Sequence, residues 1–353
     1  MKERGFPVAV TIIDVAREAN VSPSTVSRVI ADSPRISEQT KRRVREVMDQ
    51  LGYYPNFQAR NLAAKTTQTI GVIMSDSTSL AFQNPFFPEV IRGICVSAHA
   101  SKYGIYFSTG GTEEEIFQEV ASMVQGKKVD GIILLYSRVG DRTMKYLKAE
   151  NFPFTMVGRP YQYEDEITYV DNDNEKIAHE VVEYLYNLGH RNIAFIGGDL
   201  DFVVSIDRLN GYKKELEKLG LSYSEDYFIR NDVIKANGKK AIHQLMELNE
   251  PPTAIVAHDD LVAYEVIRYL EELSVQVPGD VSIIGFNNHA LSAYVKPPLT
   301  SVDISIVELG LEATNLLLEK IQDAEAVVEH YFVPTTIIER ESCKRITTKK
   351  KRE

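Results

Sequence analysis

Residues 11–62 read TIIDVAREANVSPSTVSRVIADSPRISEQTKRRVREVMDQLGYYPNFQARNL, and their punctuation is that of three short helices followed by a fourth. Thr11 puts a side-chain oxygen ahead of Ile12, Val15, Ala16 and Ala19, an apolar stripe at helical spacing, and Asp14 three residues on completes a capping-box start. Asn20 tolerates the left-handed backbone of a sharp turn, and Val21 plugs the gap behind it. Ser22 caps the next helix and Pro23 occupies its first position, where a missing N–H is harmless. Helix, tight turn and capped second helix over residues 11–30 make a helix-turn-helix pattern.

In the second helix Val26, Val29 and Ile30 face a core, which leaves Ser22, Ser24, Thr25, Ser27 and Arg28 outward. Small hydroxyls and one long cation reach base edges and phosphates without blocking close approach to a groove. The same residues also suit an ordinary solvated helix start, so the third helix and the charge balance have to decide between the two. Ser37 opens that third helix, whose apolar face is Val44, Val47, Met48 and Leu51, with Lys41, Arg42, Arg43 and Arg45 crowding its start and Gly52 ending it. Residues 1–65 hold eleven Lys+Arg against seven Asp+Glu, about +4, whereas the whole chain is −10. A basic head on an acidic body is the footprint of a nucleic-acid-contacting module.

With these residues in view, the chain resembles the lactose repressor family of bacterial transcription regulators. The likeness rests on T-I-I-D-V-A-R-E-A-N-V-S-x-S-T-V-S-R-V-I, on I-S-E-x-T-K-R-R-V and on L-G-Y-Y-P-N-F-Q-A-R-N-L-A, and it continues along nearly all of the chain. Within the family it resembles the maltose-operon repressors of Gram-positive bacteria through N-P-F-F-P-E-V and M-V-G-R-P…Y-V-D-N-D-N. Asn56 suits an N-cap, and Phe57 to Ala64 make two helical turns, too few to hold in water alone because nucleation is unfavourable. The resemblance makes residues 56–68 a hinge helix and linker that fold on DNA, with Leu62, beside Ala63, as a wedge in the minor groove. Thr11 is read as a further DNA contact, Arg28 and Ser24 as base contacts, and Arg35 with the start of the third helix as phosphate contacts on a palindromic operator; the resemblance places the homodimer interface on helices near 87–102 and 261–273.

The rest of the chain bounds this reading. At 353 residues, 44% hydrophobic and 25% charged, it is an ordinary globular composition with room for two or three domains. No apolar run approaches the roughly 20 residues of a membrane span, and MKERGFPVAV has no signal-type core. Cys95 and Cys343 lie far apart without metal-ligand spacing, so a reducing, cytoplasmic location is expected. Residues 1–55 are read as the head, 69–338 as a two-lobed effector-binding and dimerisation core, and 339–353 as a disordered basic tail.

From Thr69 onward short apolar runs alternate with helical segments. Strand candidates are 70–75, 104–109, 130–136, 154–158, 192–198, 253–258 and 281–286; helical stretches are 87–102, 112–125, 174–188, 208–219, 235–248 and 259–273. Near-continuous apolar strands between amphipathic helices give an α/β core of two parallel sheets, which the resemblance makes periplasmic-binding-protein-like. Ligands on such sheets sit beyond the carboxyl ends of the strands. Asn84, Phe86, Phe87, Tyr136, Arg159, Arg208, His258, Asp259 and Asn287 fall there, a mix of amides, aromatics, carboxylate and guanidinium that suits a small sugar effector. The resemblance assigns effector contact to Arg208, Asp259 and Asn287, although His258-Asp259 stands where the family more often has Asn-Asp, and Asn287-Asn288 where it has an Asp pair. For any of these the plain alternative is a polar strand end capping the next helix.

No enzyme signature emerges. Gly110-Gly111-Thr112 lacks the Lys-Ser/Thr of a phosphate loop, and Gly197-Gly198 lacks the third glycine of a dinucleotide site. The seven histidines show no metal spacing, and there is no nucleophile elbow, so neither a cofactor nor a metal is expected. His190 is read as fixing a helix-to-strand loop. The expected function is a transcription regulator of sugar utilisation, in the sense of a repressor switched by maltose or a maltodextrin. Two alternatives stay open: a catabolite regulator with a phosphocarrier protein as co-regulator, and a sugar-binding protein that regulates nothing. Residues 66–338 carry 22 basic against 40 acidic residues, which disfavours a phosphorylated partner.

Overall fold

The computed structural model describes residues 10–54, 66–75, 81–323 and 325–346. The chain divides into two compact units, residues 1–67 and 68–353.

In the first unit, α1 (Ile12–Glu18), α2 (Pro23–Ile30) and α3 (Glu38–Leu51) enclose a small core of Val15, Ala16, Ala19, Val26, Val29, Val44 and Val47. The expected punctuation is present. Thr11 and Asp14 form the reciprocal capping box of α1, Ser22 and Ser37 cap α2 and α3, and Gly52 ends α3 at φ 62°. Asn20 takes the turn at φ 52°.

The second unit holds two six-stranded sheets. The first runs β2 (Gly104–Phe107), β1 (Thr69–Ile73), β3 (Gly131–Leu134), β4 (Phe154–Val157), β5 (Tyr169–Asp171), β11 (His330–Phe332), and every pairing in it is parallel. The second runs β7 (Phe228–Arg230), β6 (Ile193–Gly197), β8 (Ala254–Ala257), β9 (Ser282–Phe286), β10 (Thr300–Asp303), β12 (Thr336–Ile338), with only β12 antiparallel. The central strands are buried throughout because helices cover both faces, which is why they read as unbroken apolar runs. Helices α4 (Phe86–Ala100), α5 (Glu113–Gln125), α6 (Arg142–Ala149) and α11 (Ile306–Gln322) belong to the first lobe; α7 (Asn174–Asn187), α8 (Val203–Lys218), α9 (Asn231–Met246) and α10 (Asp260–Glu272) belong to the second. Helices α4 and α11 touch backbone to backbone at two glycines. A Cβ on Gly93 would meet the Val307 carbonyl, and one on Gly310 the Val90 carbonyl.

The chain crosses between the lobes three times: from β5 into α7, from β10 into α11, and from β11 to β12. Asn172 on the first crossing fastens all three, its Nδ2 donating to the Ile304 carbonyl at 3.1 Å and the Val333 carbonyl at 3.0 Å.

Several sequence expectations need correction. Strands β5, β7, β11 and β12, each three residues long, and β10 were not anticipated, nor were α6 and α11. So short a strand carries no measurable alternation, and β11 is exposed at every position. Helix α8 begins at Val203 rather than 208, which moves Arg208 into its second turn. The tail expected to be disordered from residue 339 is packed through 346. Ser342 is fully buried, its hydroxyl donates to the Ile283 carbonyl and accepts from Thr300 N, and Ile346 N donates to Leu188 O. The polar side chains there satisfy backbone groups of the second sheet, so their polarity marks pairing rather than disorder. His190, 1% exposed, bonds Thr253 Oγ1 at 3.0 Å and the Lys344 carbonyl at 3.1 Å, tying this segment to the loop it was read as fixing.

Candidate DNA-reading helix and inter-lobe cleft

Ser22 is fully committed at the start of α2. Its hydroxyl accepts from Thr25 N at 3.2 Å and lies 2.8 Å from Ser24 Oγ and 2.9 Å from Thr25 Oγ1. Pro23 sits in the first turn. Val26 and Val29 are buried, which leaves Ser24, Ser27 and Arg28 exposed, with Arg28 in no ion pair among the described residues. Arg35 is exposed in the loop before α3. The start of α3 differs from expectation: Lys41 is buried and paired with Asp32 at 3.1 Å and Glu38 at 2.9 Å, and Arg45 also engages Asp32 at 2.7 Å. Arg42 and Arg43 are the cations of this helix left without an ion pair among the described residues. Asn56, Leu62 and Ala63 lie outside the described residues.

Six of the nine expected cleft residues line one cavity of about 160 Å³ between the lobes: Asn84, Phe86, Arg208, His258, Asp259 and Asn287. The other three do not. Phe87 turns into the hydrophobic core one position after Phe86, Tyr136 is buried in the first lobe, and Arg159 enters a neighbouring hollow with Asp207 and Glu164. The missed polar members are Asp171, Asn172 and Asn174, all at the first crossing. Their signal was the carboxylate–carboxamide run Asp171-Asn172-Asp173-Asn174, hidden because the strand before it is only three residues long.

Arg208 is the centre of the cavity. It is 3% exposed, donates from Nε to Asn174 Oδ1 at 3.0 Å and from Nη1 to the His258 carbonyl at 2.6 Å, and lies 4.2 Å over the Phe286 ring. No carboxylate pairs with it among the described residues, and burial lowers its pKa to about 10 against the more distant pull of Asp259 and Asp171. Asp171 accepts from Arg159 N, Asn172 N and Asn174 Nδ2, and burial still pushes it up to about 7. His258 is driven down to about 4 by burial and then by Arg208, so its ring is neutral at pH 7 and its buried Nδ1 has no partner. Gly198 is required by that ring, since a Cβ there would come within 2.6 Å of Nε2. Asp259 caps α10 by accepting from Val262 N at 2.8 Å, so the capping alternative holds for it. Asp260 does something else: fully buried and pushed up by burial to about 6, it accepts from Ser292 Oγ, Ser301 Oγ and His289 N. Asn287 takes φ 96°, a conformation asparagine tolerates.

Residues 11–56 match bacterial regulatory proteins of the lacI family, and residues 182–343 match a periplasmic binding protein-like domain. The transcriptional regulator MalR of Streptococcus pneumoniae is 38% identical over 322 residues, 89% of this chain and 93% of its own. The chain belongs to the lacI family. Catabolite control protein A of Priestia megaterium is 37% identical over 87% of this chain and 91% of its own. Among solved structures, the lac repressor dimer bound to operator and the anti-inducer ONPF superposes with a TM-score of 0.83 at 25% identity, covering 96% of this chain and all of that one.

This lacI-family chain is thus a DNA-binding transcription regulator with a helix-turn-helix head and a two-sheet α/β core. Among its described residues no helix is long and apolar enough to cross a membrane, and no group of His, Cys, Asp and Glu is arranged to hold a metal ion.

Proposed function

We propose that the protein is a cytoplasmic repressor of sugar utilisation, not an enzyme, whose affinity for a palindromic operator is set by a small sugar in the inter-lobe cleft, maltose or a maltodextrin being the first candidate. The observation that carries this is the cavity itself. It is lined from both lobes by a buried guanidinium without a carboxylate partner, an orphaned imidazole nitrogen, carboxamides and one aromatic ring. Vicinal hydroxyls supply the donors and acceptors such groups lack, and a ring face packs on Phe86. In this reading Ser24, Ser27 and Arg28 meet base edges and Arg35, Arg42 and Arg43 meet phosphates, in a homodimer whose two heads read the two half-sites.

The likeness to catabolite control protein A supports a second reading, with a protein co-regulator. Calorimetry with maltose, maltotriose, cellobiose and glucose, with and without operator DNA, tests the first. Heat from one sugar together with a shift in operator affinity supports it; no heat and no shift with any of them sinks it.

A further inference from the structure

Beside the cavity the two lobes are stitched together by a second set of contacts. The segments following β3 and β6 meet in an antiparallel bridge centred on Arg138 and Phe202, in which Val139 N donates to Asp201 O at 2.9 Å and Val203 N to Ser137 O at 3.1 Å. The Arg138 guanidinium lies 4.9 Å from the centre of the Phe202 ring. Next to it, Arg159 at the end of β4 grips Asp207 of α8 with both Nη2, at 2.7 Å, and Nε, at 3.3 Å. These links are joined to one another and to the hinge. Ser137 Oγ donates to the Arg159 carbonyl at 2.6 Å, and Arg159 N donates to Asp171 on the first crossing at 2.9 Å. The contacts therefore step outward from the hinge in the sheet order β5, β4, β3.

We propose that the bridge between residues 137–139 and 201–203, locked by the Arg159–Asp207 pair, is an inter-lobe latch that fixes the lobe angle and gates the cleft. This deepens, and rests on, the reading of the cleft as an effector site. The first turns of α8 carry both functions: Val203 and Asp207, four residues apart, hold the latch, while Val204 and Arg208 line the cavity. A ligand that moves Arg208 therefore moves Asp207 with it. Leverage comes from position. The bridge lies two strands from the crossing at β5, about 10 Å, so a hinge rotation of about 10° displaces it by about 2 Å and breaks its hydrogen bonds. With the latch closed the cavity is about 160 Å³, below the roughly 300–1,000 Å³ of ordinary ligand sites. On this proposal a disaccharide enters the cleft when the latch opens.

Hydrogen exchange on the ligand-free, full-length protein tests the latch without any effector. Asp207→Asn should accelerate exchange at the Val139 and Val203 amides ten-fold or more and leave β6 and β8 at the parent rate; unchanged rates at those two amides overturn the proposal. A second variant closes the latch covalently. Arg138 and Phe202 form the narrow kind of antiparallel pair, with Cα atoms about 4.5 Å apart, within the range of a disulfide. Arg138→Cys with Phe202→Cys, in a Cys95→Ser background, should lose the response of operator affinity to maltose when oxidised and regain it when reduced. An oxidised protein that still answers maltose like the reduced one overturns the gate. If neither redox form answers maltose, the assignment of maltose fails, and the exchange rates alone decide the latch.

Discussion

The helix-turn-helix unit and the inter-lobe cleft present polar groups in opposite ways. In the head, Ser24, Ser27 and Arg28 stand exposed on a short helix whose start is organised within three residues, from Ser22 to Thr25. In the cleft, Arg208 and Asp171 are buried and His258 is half-buried, and burial moves the pKa of each away from its ordinary value. A surface reader keeps its side chains solvated until a large charged partner replaces the water. A small-molecule site instead prepares its groups in advance, so that the ligand completes hydrogen bonds the protein leaves unmade. The head should therefore tolerate change locally and lose affinity in increments, while the cleft should fail as a unit.

The largest effect expected is at Arg208. Arg208→Met strips Asn174 Oδ1 and the His258 carbonyl of their charged donor and should weaken effector binding by more than 100-fold in calorimetry, with operator binding in the absence of effector kept. Loss of operator binding as well would show that the cleft and the head are not separable. Next comes Arg28→Ala, expected to cost about 1–3 kcal/mol on operator DNA and to relax the preference for one base position. A competition assay that finds specificity unchanged removes Arg28 from the base contacts.

The protonation contrast gives a pH test. The folded-state pKa of His258 is depressed to about 4 from 6.5, so its contribution to stability is present above pH 6.5 and is lost as pH falls through 4. Asp171 and Asp260, raised to about 7 and about 6, run the other way: their contribution is present below the ordinary carboxylate value and lost as pH rises through those values. Taking the difference between the parent and His258→Asn cancels the carboxylates. That difference in unfolding free energy should change by on the order of 2 kcal/mol between pH 7 and pH 4, and a flat difference in denaturant titrations breaks the assignment. The smallest effect is Ser22→Ala, which removes the α2 cap and should lower the stability of the head by about 1 kcal/mol without touching effector binding.

Legibility followed the same division. Thr11, Asp14, Ser22, Ser37 and Gly52 each act on a backbone group a few residues away and Pro23 suits the first helical position by its own backbone, so the three head helices could be read residue by residue. Six of the seven anticipated core strands were legible for a related reason, since burial on both faces leaves continuous hydrophobic runs, while β2 at the sheet edge is partly exposed. Lys41 was misjudged because its partners, Asp32 and Glu38, flank it on a different loop and on the preceding turn, and a basic run looks the same in sequence whether solvated or paired. Arg159, expected beside the ligand, reaches the strand end it was assigned to but is taken by Asp207, 48 residues on.

By itself the sequence determined the head, the alternation of strands and helices, and the strand ends where polar residues gather, because each depends on neighbours within a turn or a strand. Only the tertiary structure decided which of those residues share a cavity, that residues 339–346 are packed, and that three crossings, fastened by Asn172, bring Asp171 and Asn174 to Arg208. Those outcomes depend on how two separately folded sheets face each other, and a contact across that gap leaves no periodicity in the chain on either side.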